Sequence, residues 1–174
     1  MTRIRNGLMA LALGLTPLAL SGCGFTPLYA TQGLNQALGS IAVETPQTRT
    51  GYLLRESLND SLAVRNASVP RYDLKITLKD QRYSIGLSSN DIASRYEISN
   101  QVAYTLTDRQ TKDVVHKGNF IEATTYDAGQ EQPYTGIVGQ QDAQERAAKG
   151  IAQKITADLS VFFARKAKAP QANP

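Results

Sequence analysis

Between Arg71 and Lys79 the chain alternates without a break. Tyr72, Leu74, Ile76 and Leu78 are apolar, and Arg71, Asp73, Lys75, Thr77 and Lys79 are polar. Side chains on a strand point to opposite faces with a period of two, so this stretch predicts a strand with one dry face and one wet face. The pattern returns over residues 92–107, where Tyr96, Ile98, Val102, Tyr104 and Leu106 share one face and Arg95, Glu97, Ser99, Gln101 and Thr105 the other. Long strands that are polar on one side belong to a largely antiparallel sheet covered on the opposite side only. Whatever covers the apolar side must carry an apolar stripe of its own, which restricts the chain to a layered arrangement.

Two segments carry such a stripe. Leu54, Leu58 and Leu62 recur every four residues within 50–65, while Arg55, Glu56, Asn59 and Asp60 lie off the stripe. Thr48 or Thr50 is placed to cap this helix, and Asn66 to Pro70 stops it. From about Val138 to Lys166 a second stripe runs through Ala147, Ile151, Ile155, Leu159 and Phe162, flanked by Ala148, Ala152 and Phe163. Ile41 and Val43 predict a short strand ended by Pro46. Beyond Lys79 the apolar parity moves to Tyr83, Ile85 and Leu87, which predicts a bulge near Asp80–Arg82. Ser88–Asp91 reads as a turn, Asp108–Asp113 as a hairpin loop, Val114–Tyr126 as a less regular strand and Asp127–Gly136 as a loop. The order is β-α-β-β-β-α. It predicts an α+β two-layer sandwich, with two helices on one face of a four-stranded, mostly antiparallel sheet and the other face polar and available.

The start of the chain is of another kind. Arg3 and Arg5 precede an apolar run from Leu8 to Leu20, and Leu20-Ser21-Gly22-Cys23 follows. A basic start, a short apolar middle and small residues before a cut site describe a secretory signal. The cysteine behind them looks like a bacterial lipobox, in which the thiol is diacylated and the new amine acylated after cleavage. The expected organisation is a signal peptide over 1–22, a lipidated tether over 23–38, one α+β domain over 39–167 and a disordered tail over 168–174. Two or more acyl chains attach a protein to a membrane stably, where one does not. Cys23 is the only cysteine, so once it carries lipid no thiol is left for a disulfide, a nucleophile or a metal. The formal charge of +4 includes Arg3 and Arg5, which leave with the signal, and no block of like charge suggests nucleic acid.

Catalytic constellations are sparse. His116 is the only histidine, without a second ligand at zinc spacing, and reads as a strand surface residue. There is no Gly-x-Ser-x-Gly turn and no glycine-rich phosphate loop, so the expectation is a protein that is not an enzyme and needs no cofactor beyond covalent lipid. Arg82 and Arg95 bracket the Ser88–Asp91 turn and Lys117 lies on the fourth strand. They read either as a cationic set for a phosphorylated or acidic glycolipid, or as a solvated sheet face paired with Glu97 and Glu122. Tyr72, Tyr96 and Tyr104 occupy apolar strand positions, and Tyr126 and Tyr134 flank the loop.

Cys23-Gly24-Phe25-Thr26-Pro27-Leu28-Tyr29, followed by this order of elements, resembles the start of the LptE family in its alphaproteobacterial branch. The helix Leu53-Leu54-Arg55-Glu56-Ser57-Leu58, the strand Arg95-Tyr96-Glu97-Ile98 and the final amphipathic helix are similar too. The resemblance implies a lipoprotein subunit of the outer-membrane lipopolysaccharide translocon. Such a subunit plugs the lumen of the LptD β-barrel, helps it assemble and assists lipopolysaccharide into the outer leaflet. It implies an LptD-like barrel and lipopolysaccharide as partners; on the cationic reading of the residues, Arg82, Arg95 and Lys117 are the candidate lipopolysaccharide contacts. Gly24 behind the cysteine, where an Asp is absent, looks like an outer-membrane destination. Two other readings use the same residues: a periplasmic-facing lipoprotein that binds a small ligand or inhibits an enzyme, and a lipid-anchored hydrolase.

Overall fold

A computed structural model describes residues 33–62, 69–87, 93–127 and 133–168. The signal, Cys23 and the first part of the tether, the 88–91 turn and the tail beyond Lys168 lie outside these residues. Seven elements follow in order: α1 (Leu34–Gly39), β1 (Ile41–Glu44), α2 (Arg49–Ser61), β2 (Tyr72–Leu87), β3 (Ala93–Asp108), β4 (Val114–Asp127) and α3 (Pro133–Lys168). The strands form one sheet in the order β1-β2-β3-β4. β1 pairs parallel to β2 over Ile41–Glu44 and Tyr72–Lys75, and the other two pairings are antiparallel. The helices cover one face, as the stripes predict.

Thr48 caps α2, its hydroxyl accepting from the Gly51 amide at 3.1 Å and so satisfying one of the free amides of the first turn. Leu54 and Leu58 of α2 and Ile151, Ile155 and Leu159 of α3 are fully buried against Ile41, Leu74 and Leu106 of the sheet. Each such side chain removed from water contributes about 1.5–3 kcal/mol. A smaller cluster of Ile98, Tyr126 and Ala143, with Tyr96 packed on it, holds the other end of the sheet under the start of α3.

Four boundaries differ from the sequence reading. The last part of the expected tether is helical: Leu34 and Leu38 are each 3% exposed within the main core, because one turn of α1 separates them and puts both on its buried side. α2 ends at Ser61. α3 begins at Pro133, inside the expected loop, with proline in the first turn where its missing amide costs nothing. It also continues through Lys168. The bulge is not at Asp80–Arg82. β2 keeps register with β3 from Tyr72 to Ser84, and the irregularity falls between Ser84 and Leu87. Tyr83 pairs with Glu97 on the face away from the helices and is half exposed, so its apolar character marks no change of parity at Asp80.

Candidate functional site

The face of the sheet away from the helices is open among the described residues. Cross-strand partners share a face, so the register lays it out in rows: Lys75, Thr105 and Lys117; Thr77, Ala103 and Asn119; Lys79, Gln101 and Ile121; Gln81, Ser99 and Ala123. Thr77, Ala103 and Asn119 are short, and a shallow trough forms between the longer side chains of Lys75, Lys79, Gln101, Lys117 and Ile121. Two grooves of about 360 and 400 Å³ lie along it and share Thr77, Ala103 and Asn119 as lining. Lys75 reaches Glu44 at 3.8 Å, and among the described residues no ion pair engages Lys79 or Lys117. β2 and β3 have 16 residues each, so the face is about 50 Å long at the usual strand rise.

The three basic candidates do not form one set. Arg82 pairs with Ile98 on the helix-side face and lies over the Tyr96 ring at 5.0 Å. Arg95 stands on the open face, bonded to Asp127 Oδ1 at 3.1 Å. Lys117 is on the open face opposite Thr105. Ten strand residues, about 33 Å, separate the levels of Arg95 and Lys117. Of the expected acidic partners, Glu122 accepts from Lys154 Nζ at 2.6 Å, and Arg95 is paired with Asp127 rather than with Glu97.

His116 is not a surface residue. It pairs with Leu106 on the helix-side face, in the unbroken period of β4 that carries Gly118 and Phe120, and its ring stacks on Phe162 at 4.8 Å; the register irregularity falls beyond it, before Val114. Its Nε2 and the Tyr104 hydroxyl both lie 2.5 Å from Asp158 Oδ2. A carboxylate can only accept, so both groups donate to it and Nε2 carries the proton. Burial raises the Asp158 pKa, but the hydrogen bonds from Tyr104 and His116 outweigh it and hold the carboxyl below the usual carboxylate range. Burial, reinforced by the bond to Asp158, pushes the Tyr104 phenol up. The cluster ties β3 and β4 to α3. No group of three or more His, Cys, Asp or Glu among the described residues is placed to hold a metal. The signal that would have found the cluster is spatial: Asp158 and His116 are 42 residues apart.

One more feature escapes the period of the long helix. Tyr134, Ile137 and Val138 are 82%, 55% and 52% exposed, an apolar row at helical spacing on the first turns of α3. The segment from Pro133 to Gln141 carries no charge.

Fold and surface together define a two-layer α+β domain built around an open, polar sheet face. The LptE lipopolysaccharide-assembly family matches residues 38–159. A lipoprotein of Caulobacter crescentus, known as a crystal structure, is 40% identical; the match covers 77% of this chain and 97% of that one with a TM-score of 0.66. A minor lipoprotein of Acinetobacter baumannii shares the fold at 17% identity, over 71% of this chain and 91% of that one, with a TM-score of 0.56. No curated protein sequence matches. The chain belongs to the LptE family of lipopolysaccharide-assembly proteins.

Proposed function

We propose that this chain is the lipoprotein subunit of an outer-membrane lipopolysaccharide translocon, anchored through lipid on Cys23 and seated as a plug in the lumen of an LptD-like β-barrel. The observation that carries the reading is the open sheet face. It is long and largely polar, with Thr77, Ala103 and Asn119 leaving a trough along it, and a wide barrel presents a polar interior to match. A trough of this shape suits an extended contact better than an enclosed small-molecule site, which would bury most of its ligand. Tyr134, Ile137 and Val138 supply an apolar contact at one end of the domain. Family membership and the lipoprotein relative from Caulobacter support the anchor and the assembly role.

Arg82, Arg95 and Lys117 act in this reading as separate contacts to lipopolysaccharide phosphates, each weak alone. The protein works by binding and needs no cofactor beyond the lipid on Cys23. Capture of the tagged chain from detergent-solubilised outer membranes tests the reading. A large β-barrel as the main partner supports it; capture of a soluble enzyme instead, with no barrel, replaces it with the inhibitor reading. Mass spectrometry of the mature N-terminus tests the anchor separately, and an unmodified Cys23 rejects it.

A further inference from the structure

Six cations converge on one end of the domain. The amide of Arg71 donates to the Ser40 carbonyl at 2.8 Å, and that of Arg109 donates to the Arg71 carbonyl at 2.9 Å. Lys166 Nζ stands 3.3 Å from the Tyr72 hydroxyl and 5.5 Å from the centre of its ring, with Arg71 5.5 Å from the same ring centre. Arg165 and Lys168 share the last turns of α3 with Lys166, and Lys112 sits in the hairpin with Arg109. All six are exposed. Among the described residues, Asp108 answers Arg71 and Asp73 answers Arg109, and Asp113 in the hairpin and Asp60 at the end of α2 add two more carboxylates at this end. Farther back on α3, Asp158 feels Arg165 but is taken up by Tyr104 and His116. Basic residues in a last helical turn complement the helix dipole, which accounts for some of the α3 cations. It does not account for Arg71, Arg109 and Lys112, which come from other elements. Val69 and Val114 stand at the same end, 77% and 57% exposed.

The chain enters the domain here as well. α1 runs into β1 through Ser40, whose carbonyl takes the Arg71 and Tyr72 amides. From Cys23 to Gly33 the chain reaches at most about 35 Å, whereas the opposite end of β2 lies about 50 Å from Tyr72. The described chain begins beside the basic end, one six-residue helix before Ser40.

We infer that this end is a membrane-docking surface for anionic phospholipid headgroups, formed by Arg71, Arg109, Lys112, Arg165, Lys166 and Lys168 with Val69 and Val114 between them. Lipid at Cys23 would hold the protein at the bilayer, and the cationic end would set the domain upright on it, since Lys and Arg are drawn to an anionic surface within about a Debye length. The inference rests on the anchored-subunit reading for its biological setting, but its test does not use the anchor.

The mature chain, residues 23–174 with Cys23→Ser so that no lipid is attached, is sedimented with vesicles of phosphatidylcholine alone and of phosphatidylcholine mixed with phosphatidylglycerol. The expected result is salt-sensitive binding to the mixed vesicles only. The combined Arg165→Glu, Lys166→Glu and Lys168→Glu variant should bind at least about tenfold more weakly. Arg165→Gln, Lys166→Gln and Lys168→Gln, which introduces no acid, should fall between the two and covers the case in which reversal harms folding. Arg49→Glu with Lys149→Glu, both well away from this end, should stay within about twofold of the parent. Equal binding to both vesicles, no binding, or an equal loss in the Arg49/Lys149 variant overturns the inference. The anchored-subunit reading fails on different evidence, an unmodified Cys23 or a missing barrel.

Discussion

Gly118 on β4 sits directly opposite Tyr104 on β3, and a Cβ at that position would overlap the tyrosine hydroxyl. The missing side chain lets the Tyr104 ring cross the neighbouring strand and reach Asp158 on α3. Gly118→Ala should therefore force the ring aside and lower stability by about 1–3 kcal/mol, the usual cost of overfilling a packed site. Tyr104→Phe keeps the ring and loses one hydrogen bond, for about 1 kcal/mol. Urea unfolding of both variants checks the order; equal losses would mean that the bond to Asp158, and not the space, is what Gly118 protects.

Acid should weaken the same cluster. Burial opposes ionisation of Asp158, but the bonds from Tyr104 and His116 leave its folded pKa below the unfolded value of about 3.9. A depressed folded pKa means that the stabilisation is complete above the unfolded value and is lost as the pH falls through the folded one. Asp108, held down first by its bond from the Gln110 amide, and Glu145, held down by Lys149, act in the same sense. Melting temperature should fall below about pH 4, and Asp158→Asn should flatten that slope while lowering stability at neutral pH. A steeper slope in Asp158→Asn would show that the sign is wrong.

The main strands and both long helices were legible because burial imposes a period, and residues such as Leu74, Leu106, Leu58 and Ile155 obey it. α1 was not, since six residues offer only Leu34 and Leu38 as a pair and no repeat. Tyr83 misled for another reason: on an open sheet face a half-exposed aromatic is tolerated, so apolar character ceases to report which side is buried. His116 escaped because a polar residue followed by Gly118 on the same face breaks the apolar period of β4, and no local pattern encodes its meeting with Asp158. The basic candidates were visible as residues, but their division between two faces depends on register.

Leu58 and Ile155 are both 0% exposed, at the centres of their stripes. Leu58→Asp or Ile155→Asp buries a charge with no partner and should cost several kcal/mol, enough to unfold a domain of ordinary stability. Thermal melts decide, and a shift of only a degree or two in both variants would contradict the packed faces described above.

Single substitutions of Arg82, Arg95 or Lys117 should leave barrel assembly nearly unchanged, because each removes one contact from a large interface. Any loss of lipopolysaccharide binding should be greater at low salt, before screening has weakened the charge interaction. With about 33 Å between the levels of Arg95 and Lys117 and Arg82 on the opposite face, their effects should add when combined. A binding loss in the double variant far above the sum would show that they meet on one ligand.

The plug proposal is tested most directly by the fraction of the partner barrel that is correctly assembled in cells depleted of this chain. The acyl chains hold the protein at the membrane, whereas the open sheet face supplies contact area along the whole domain. Assembled barrel should therefore fall on depletion and be largely restored by an exported version in which Cys23→Ser prevents acylation. An unchanged level of assembled barrel after depletion would contradict the proposal.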